Sequence, residues 1–159
     1  MTTDERDRRV RPETDRLLLD VMLGKLAVYL RMCGYNAAYA GDRDLEGDAR
    51  IREVAASEGQ LLLTRDRQLA AAADDALLLT AREVKDQLAE LREAGVRLTV
   101  ADEPVRCGRC NGRLEAVDDD SETPGYAPDP VATDCWRCRD CEQVFWKGSH
   151  HERMAEKLD

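Results

Sequence analysis

Two short runs of leucine set the pattern of this chain. Leu17-Leu18-Leu19 is followed at once by Asp20, and Leu61-Leu62-Leu63 is followed by Thr64-Arg65-Asp66. Apolar runs of this length without polar alternation read as strands buried on both faces, the kind found in parallel sheets with helices on either side. Between and after them the apolar spacing turns helical. Leu23, Leu26, Ala27 and Leu30 predict an amphipathic helix stopped near Gly34. Residues 36–40 predict a strand. Ile51, Val54 and Ala55 predict a helix over 48–58, closed by Gly59. A short helix over 68–73, a strand over 76–79 and a helix carrying Val84, Leu88 and Leu91 come next. Thr80 and Glu83 have the spacing of a capping box for that last helix. Residues 96–100 predict a fifth strand. Strands alternating with helices argue an α/β domain with a mainly parallel sheet flanked by helices.

The pattern breaks at Asp102-Glu103-Pro104, and the chain beyond residue 104 is β-rich and poor in helical spacing. The expected division is a flexible charged tail over 1–15, an α/β domain over 16–103, a small second unit over 104–151 and a C-terminal tail over 152–159. In the second unit, residues 113–117, 132–136 and 144–146 have strand-like sequence, and residues 118–130 read as a loop.

Composition narrows the function classes. Charged residues make up 36% and aromatics 4%, so the core must be built from Leu, Val and Ala. The net charge of −9 argues against nonspecific binding of nucleic acid through bulk charge. Lys is scarce and Asp abundant, a balance suited to high salt. No run approaches the roughly 20 apolar residues of a membrane span, and the first residues are charged, with no apolar leader core. A cytoplasmic location is the expectation, with the cysteines reduced and paired cysteines read as metal ligands.

Cys107-Gly108-Arg109-Cys110 and Cys138-Arg139-Asp140-Cys141 are two C-x-x-C pairs. Each pair lets a tight turn aim two thiolates at one ion, and four thiolates suit tetrahedral Zn²⁺ in a ribbon too small to hold itself together. Cys135 also stands in C-x-x-C register with Cys138 and competes for a ligand position. His150 and His151 are the only histidines, so the α/β region cannot assemble Ser–His–Asp or Cys–His catalysis. It has no glycine-rich phosphate loop either.

Carboxylates remain. In open parallel sheets, ligands bind just outside the carboxyl ends of the strands. Asp20 and Asp66 are expected there, and Asp48, in the first turn of its helix, is read as a third acid turned to the same edge. Asp42, Asp44 and Glu46 offer further oxygens from a loop. Each aspartate alone is as well explained as a cap. Three together fit Mg²⁺ or Mn²⁺, which would activate water against a phosphodiester. Arg65, Arg109, Arg139, Lys147 and His150 are candidate nucleic-acid contacts. Trp136, Phe145 and Trp146 serve equally as a stacking surface or as the ribbon's own core.

The ordered set Leu-Leu-Asp20, Gly24-Lys25-Leu26-Ala27, Tyr29-Leu30-Arg31, Gly34-Tyr35, Asp48, Leu-Leu-Thr64-Arg65-Asp66, Arg106-Cys107, Cys110-Asn111-Gly112, Cys138, Cys141 and Trp146-Lys147-Gly148-Ser149-His150 resembles the Mut-seven C-terminal ribonuclease family. The resemblance implies a PIN-like nuclease domain fused to a zinc ribbon. It implies metal-dependent RNA cleavage, with Asp20, Asp48 and Asp66 at the family's acidic positions. Cys135, at a place usually aromatic or apolar, departs from the pattern, and no fourth acid is assignable. Two other readings stand beside it. One is a module of the same fold that binds RNA or protein without cleaving. The other is a phosphoacceptor receiver domain, which the lack of a Lys after residues 97–100 disfavours.

Overall fold

The computed structural model describes residues 9–43, 45 and 47–158. Four parallel strands form one sheet: β1 (Arg16–Leu19), β2 (Asn36–Tyr39), β3 (Gln60–Thr64) and β4 (Ala76–Leu78), in the order β2-β1-β3-β4. The two leucine runs lie side by side at its centre, with Leu17, Leu18 and Leu19 paired to Leu61, Leu62 and Leu63.

Strand alternation divides these leucines between two cores. Leu17, Leu19, Leu61 and Leu63 face α1 (Gly24–Met32), α4 (Val84–Glu93) and α5 (Ser149–Leu158). Leu18 and Leu62 face α2 (Asp48–Ser57) and α3 (Arg67–Ala72). Burial on both sides is why the runs carry no polar alternation. Each fully buried leucine contributes about 1.5–3 kcal/mol relative to leaving it in water.

Three expectations are corrected. Residues 96–100 do not join the sheet. Val96 makes a single parallel bridge to Val10, and Val96 and Leu98 bury their side chains in the α1 core. The tail expected over 1–15 is therefore not loose throughout. Val10 is fully buried, with the Tyr35 hydroxyl 2.8 Å from its carbonyl; residues 1–8 lie outside the described residues. The capping box at Thr80 does not form, because α4 starts at Val84. The Glu90 carboxylate instead accepts the N–H groups of Thr80 and Ala81 and the Thr80 hydroxyl.

The second unit is an antiparallel sheet of β5 (Leu114–Ala116), β6 (Cys135–Cys138) and β7 (Val144–Trp146). Residues 132–134, expected to begin its middle strand, precede β6. Trp136 is buried there, and Tyr126 of the long loop stacks on Trp146 with ring centroids 6.3 Å apart. The aromatics thus supply much of the small core this unit has. The C-terminal tail expected over 152–159, with room for a helical turn or two, is helical over 152–158 as part of α5, which returns to the first core and buries Leu158 against it.

The ribbon covers one position on the β2 edge of the large sheet. β2 is an edge strand, and Ala37 turns both its backbone groups outward. Its N–H donates to Asn111 Oδ1 at 2.9 Å, and its carbonyl accepts from Arg31 Nε at 2.9 Å. Arg31 in turn donates to the Gly108 carbonyl, and Asn111 Nδ2 donates to Asn36 Oδ1.

Candidate metal centre and acidic sheet edge

The four thiols converge. Cys107, Cys110, Cys138 and Cys141 place their sulfurs within 4.8 Å of one another. The Cys107–Cys141 and Cys110–Cys138 separations are 3.7 and 3.5 Å. A tetrahedral ion with bonds of about 2.3 Å sets its sulfurs about 3.8 Å apart, so the donor set fits Zn²⁺.

The two turns are built alike. Asn111 N–H returns to the Cys107 carbonyl and Cys107 N–H to the Gly112 carbonyl; Glu142 and Cys138 repeat this with the Cys138 and Gln143 carbonyls. Each turn closes on a residue with positive φ, Asn111 at 70° and Glu142 at 65°. Gly112 leaves the space the knuckle needs: a Cβ there would stand 2.7 Å from the Cys138 sulfur. Burial opposes ionisation of the Cys138 thiol, but the N–H groups of Cys141 and Asp140 outweigh it and bring it down to about 7. Burial pushes the Cys107 and Cys110 thiols up. Cys135 stands outside the cluster, its buried thiol turned to the carbonyls of Thr133 and Pro128. Among the described residues these four cysteines are the one group of three or more metal-ligating side chains gathered at such distances.

At the carboxyl edge of the sheet, β1 and β3 bring Asp20 beside Thr64. Asp20 is 6% exposed; its Oδ1 accepts the N–H of Val21 at 2.7 Å and its Oδ2 the Thr64 hydroxyl at 2.8 Å. Thr64 Oγ1 also accepts the Asp66 N–H at 3.0 Å, so one hydroxyl joins the ends of the two strands. Asp66 caps α3 through Oδ1, which accepts from Gln68 and Leu69. Such a cap is worth about 1 kcal/mol. Both aspartates therefore act as caps in addition to meeting at one edge.

Asp48 is exposed at the first residue of α2, and Gly47, not an acid, is the cap before it. It does not join Asp20 and Asp66 in a three-carboxylate cluster at ligand distance. Its expected position on the buried helix face is corrected: Ile51, Val54 and Ala55 fill that face, and Asp48 begins the helix in solvent. Asp42 is exposed with its carboxylate 4.0 Å from Arg31, and Asp44 and Glu46 lie outside the described residues.

The candidate contact residues are dispersed. Arg65 is half-buried at the carboxyl edge, where its charge acts on Glu90. Arg109 reaches Gln143 at 3.2 Å, Arg139 pairs with Glu115, and Lys147 donates to the Asp102 carbonyl. His150 is exposed in the first turn of α5. Sequence reasoning gave no part to Tyr39 or Glu90, both near this edge. Tyr39 donates its hydroxyl to the Val21 carbonyl, beside Asp20, and a Cβ at Gly41 would come within 2.5 Å of its ring. Glycines at 24 and 41 flanking a tyrosine were the available signal. For Glu90, spaced ten residues from Thr80, there was none.

No described helix is long and apolar enough to cross a membrane. Residues 15–158 match the family described as Mut7-C RNAse domain. No curated protein matches the chain.

Proposed function

The chain belongs to the Mut7-C RNAse domain family, and on that footing we propose that it is a metal-dependent endoribonuclease with a PIN-like catalytic domain over 16–103 and a zinc ribbon over 104–151. The observation that carries this reading is the Asp20–Thr64–Asp66 link, which ties the Asp20 carboxylate to the Asp66 backbone at the carboxyl edge of adjacent parallel strands, with the Asp66 carboxylate held by the first turn of α3. Mg²⁺ ordinarily takes one or two carboxylates from a protein and keeps water elsewhere, so the pair suits it. Mg²⁺ or Mn²⁺ bound there would polarise the phosphodiester and lower the pKa of water.

The chain's own residues do the positioning. The Thr64 hydroxyl and the Val21 N–H fix the Asp20 carboxylate, and the first turn of α3 fixes that of Asp66. Arg65 brings positive charge to the edge where phosphate charge develops. Asp48, exposed at the first residue of α2, is assigned as a third acid of the site. Arg109, Arg139, Lys147 and His150 are assigned to RNA contact by the ribbon. Four clustered thiols suit a reducing compartment, so the cytoplasm is the assigned location.

The test is cleavage of single-stranded and structured RNA in Mn²⁺ by the wild type, Asp20→Asn and Asp66→Asn. Each substitution is expected to lower the rate on the order of 100-fold or more. Cleavage that survives both at the wild-type rate refutes the assignment. A second reading, binding without cleavage, is favoured by the hydrogen bonds that already occupy both Asp20 oxygens. RNA binding with no metal-stimulated turnover would establish it.

A further inference from the structure

A cleft of about 740 Å³ opens at the amino-terminal edge of the large sheet, where the ribbon joins it. It lies the length of β1 away from Asp20, about 13 Å at 3.3 Å per residue. Arg16, the first residue of β1, lines it together with Arg106 and Arg113. The latter two are partners in an isolated antiparallel bridge, which turns their side chains to the same side.

These three guanidiniums are poorly neutralised. Among the described residues Arg16 and Arg113 have no ion pair or side-chain hydrogen bond, and Arg106 donates only to the Asn111 carbonyl, at 3.3 Å. Burial, together with the charges of Arg113 and Arg16, pushes the Arg106 guanidinium down, with Asp140 a partial offset. Of the acids on the same wall, Glu13 is paired with Arg97, and the Asp15 carboxylate is turned to the Thr14 hydroxyl and the Arg11 N–H. Asp102 is the remaining one. Like charges gathered without counter-ions destabilise a fold unless an anion joins them. In a chain of net charge −9 such a gathering is not a by-product of general basicity.

Arg106 also lines a neighbouring cavity of about 330 Å³ whose walls include Phe145, Trp146 and His151. Cationic groups beside aromatic rings are the means by which proteins hold unpaired nucleotides, the charges on phosphate and the rings on bases.

We propose that this cleft binds the backbone of single-stranded RNA, with Arg16, Arg106 and Arg113 on its phosphates and a base in the adjoining cavity. The identity of the polyanion rests on the ribonuclease reading; the existence of the anion site does not.

The test is fluorescence anisotropy of a labelled single-stranded RNA with the full chain, zinc-loaded and without added Mg²⁺ or Mn²⁺, over a salt series. Arg16→Gln/Arg113→Gln should flatten the dependence of log K on log salt by about 0.7 for each phosphate contact removed. Low-salt affinity should fall on the order of tenfold. Arg113→Lys, which keeps the charge, should retain the wild-type slope, as should Arg50→Gln on α2. An unchanged slope and affinity in the double variant overturns the proposal, as does a wild type that does not bind RNA. Displacement of RNA by micromolar inorganic phosphate would assign the cleft to the free anion and overturn it too. Cleavage is then read on the same samples after Mn²⁺ is added. Binding with the expected slope change but no cleavage supports the cleft and removes the nuclease reading. Cleavage with unchanged binding in the double variant removes the cleft and leaves the nuclease reading.

Discussion

Replacing Asn111 with glycine should weaken the joint between ribbon and sheet by about 2–3 kcal/mol. The Asn111 side chain accepts from Ala37 N–H at 2.9 Å and donates to Asn36 at 2.8 Å. Each bond contributes about 1 kcal/mol net, and stranding the Ala37 N–H adds about 1 kcal/mol more. Glycine loses those bonds but keeps the backbone at ease, because φ at this position is 70°. Asn111→Ala loses the same bonds and, relative to glycine, keeps a cost of about 1–2 kcal/mol for a Cβ in the left-handed region. Alanine should therefore be the worse substitution, the reverse of the order expected inside a helix. The assay is urea unfolding of the zinc-loaded protein followed by circular dichroism, with midpoints compared at a common slope. A glycine variant within about 0.5 kcal/mol of wild type would refute the assigned worth of the edge bonds. An alanine variant more stable than the glycine one would refute the strain.

Two more outcomes rest on the same geometry. Cys141→Ala should lose zinc and destabilise the ribbon, whereas Cys135→Ala should retain one zinc per chain. Metal analysis after gel filtration decides this, and loss of zinc in the Cys135 variant would overturn the ligand assignment. At Glu90, burial alone would raise the pKa, but the hydrogen bonds from Thr80 and Ala81 prevail and hold it below its ordinary 4.5. A lowered folded-state pKa contributes stability that is present above about 4.5 and lost as pH falls through the folded value. Glu90→Gln should flatten that acid limb of the stability curve; an unaltered limb refutes the assignment.

Whatever neighbouring residues decide was legible in the sequence. The leucine runs declared doubly buried strands because two-sided burial removes alternation, and the paired C-x-x-C turns declared a tetrahedral thiolate set. Residues 96–100 carried real alternation, with Val96 and Leu98 buried, yet that pattern cannot tell a strand in a sheet from an extended segment packed on a helix. The partner that settled the matter, Val10, sits in a stretch whose charges suggested solvent. Thr80 and Glu83 had the spacing of a cap, but a glutamate two turns further on held those N–H groups instead. Asp48 was misplaced because helical spacing was extended to the first residue, where there is no preceding turn to cover it. The Cys135 ambiguity could not be resolved from spacing, since both alternatives are C-x-x-C; the direction of β6 resolves it by turning that thiol to the loop side.

The ribbon's hold on β2 has a consequence for how the protein fails. Exposed strand edges template pairing with other chains, and many proteins blunt them with lysine, proline or a bulge. β2 itself, Asn-Ala-Ala-Tyr, carries none of these guards. Its outward N–H at Ala37 is occupied by Asn111, which stands next to Cys110, one of the four clustered thiols, in a turn that a bound ion would hold shut. A zinc ion bound there would thus act as a solubility factor for the whole chain as well as a staple for the ribbon. A chain starved of the metal would free the Ala37 N–H on that edge, and aggregation should then set in before its main core melts.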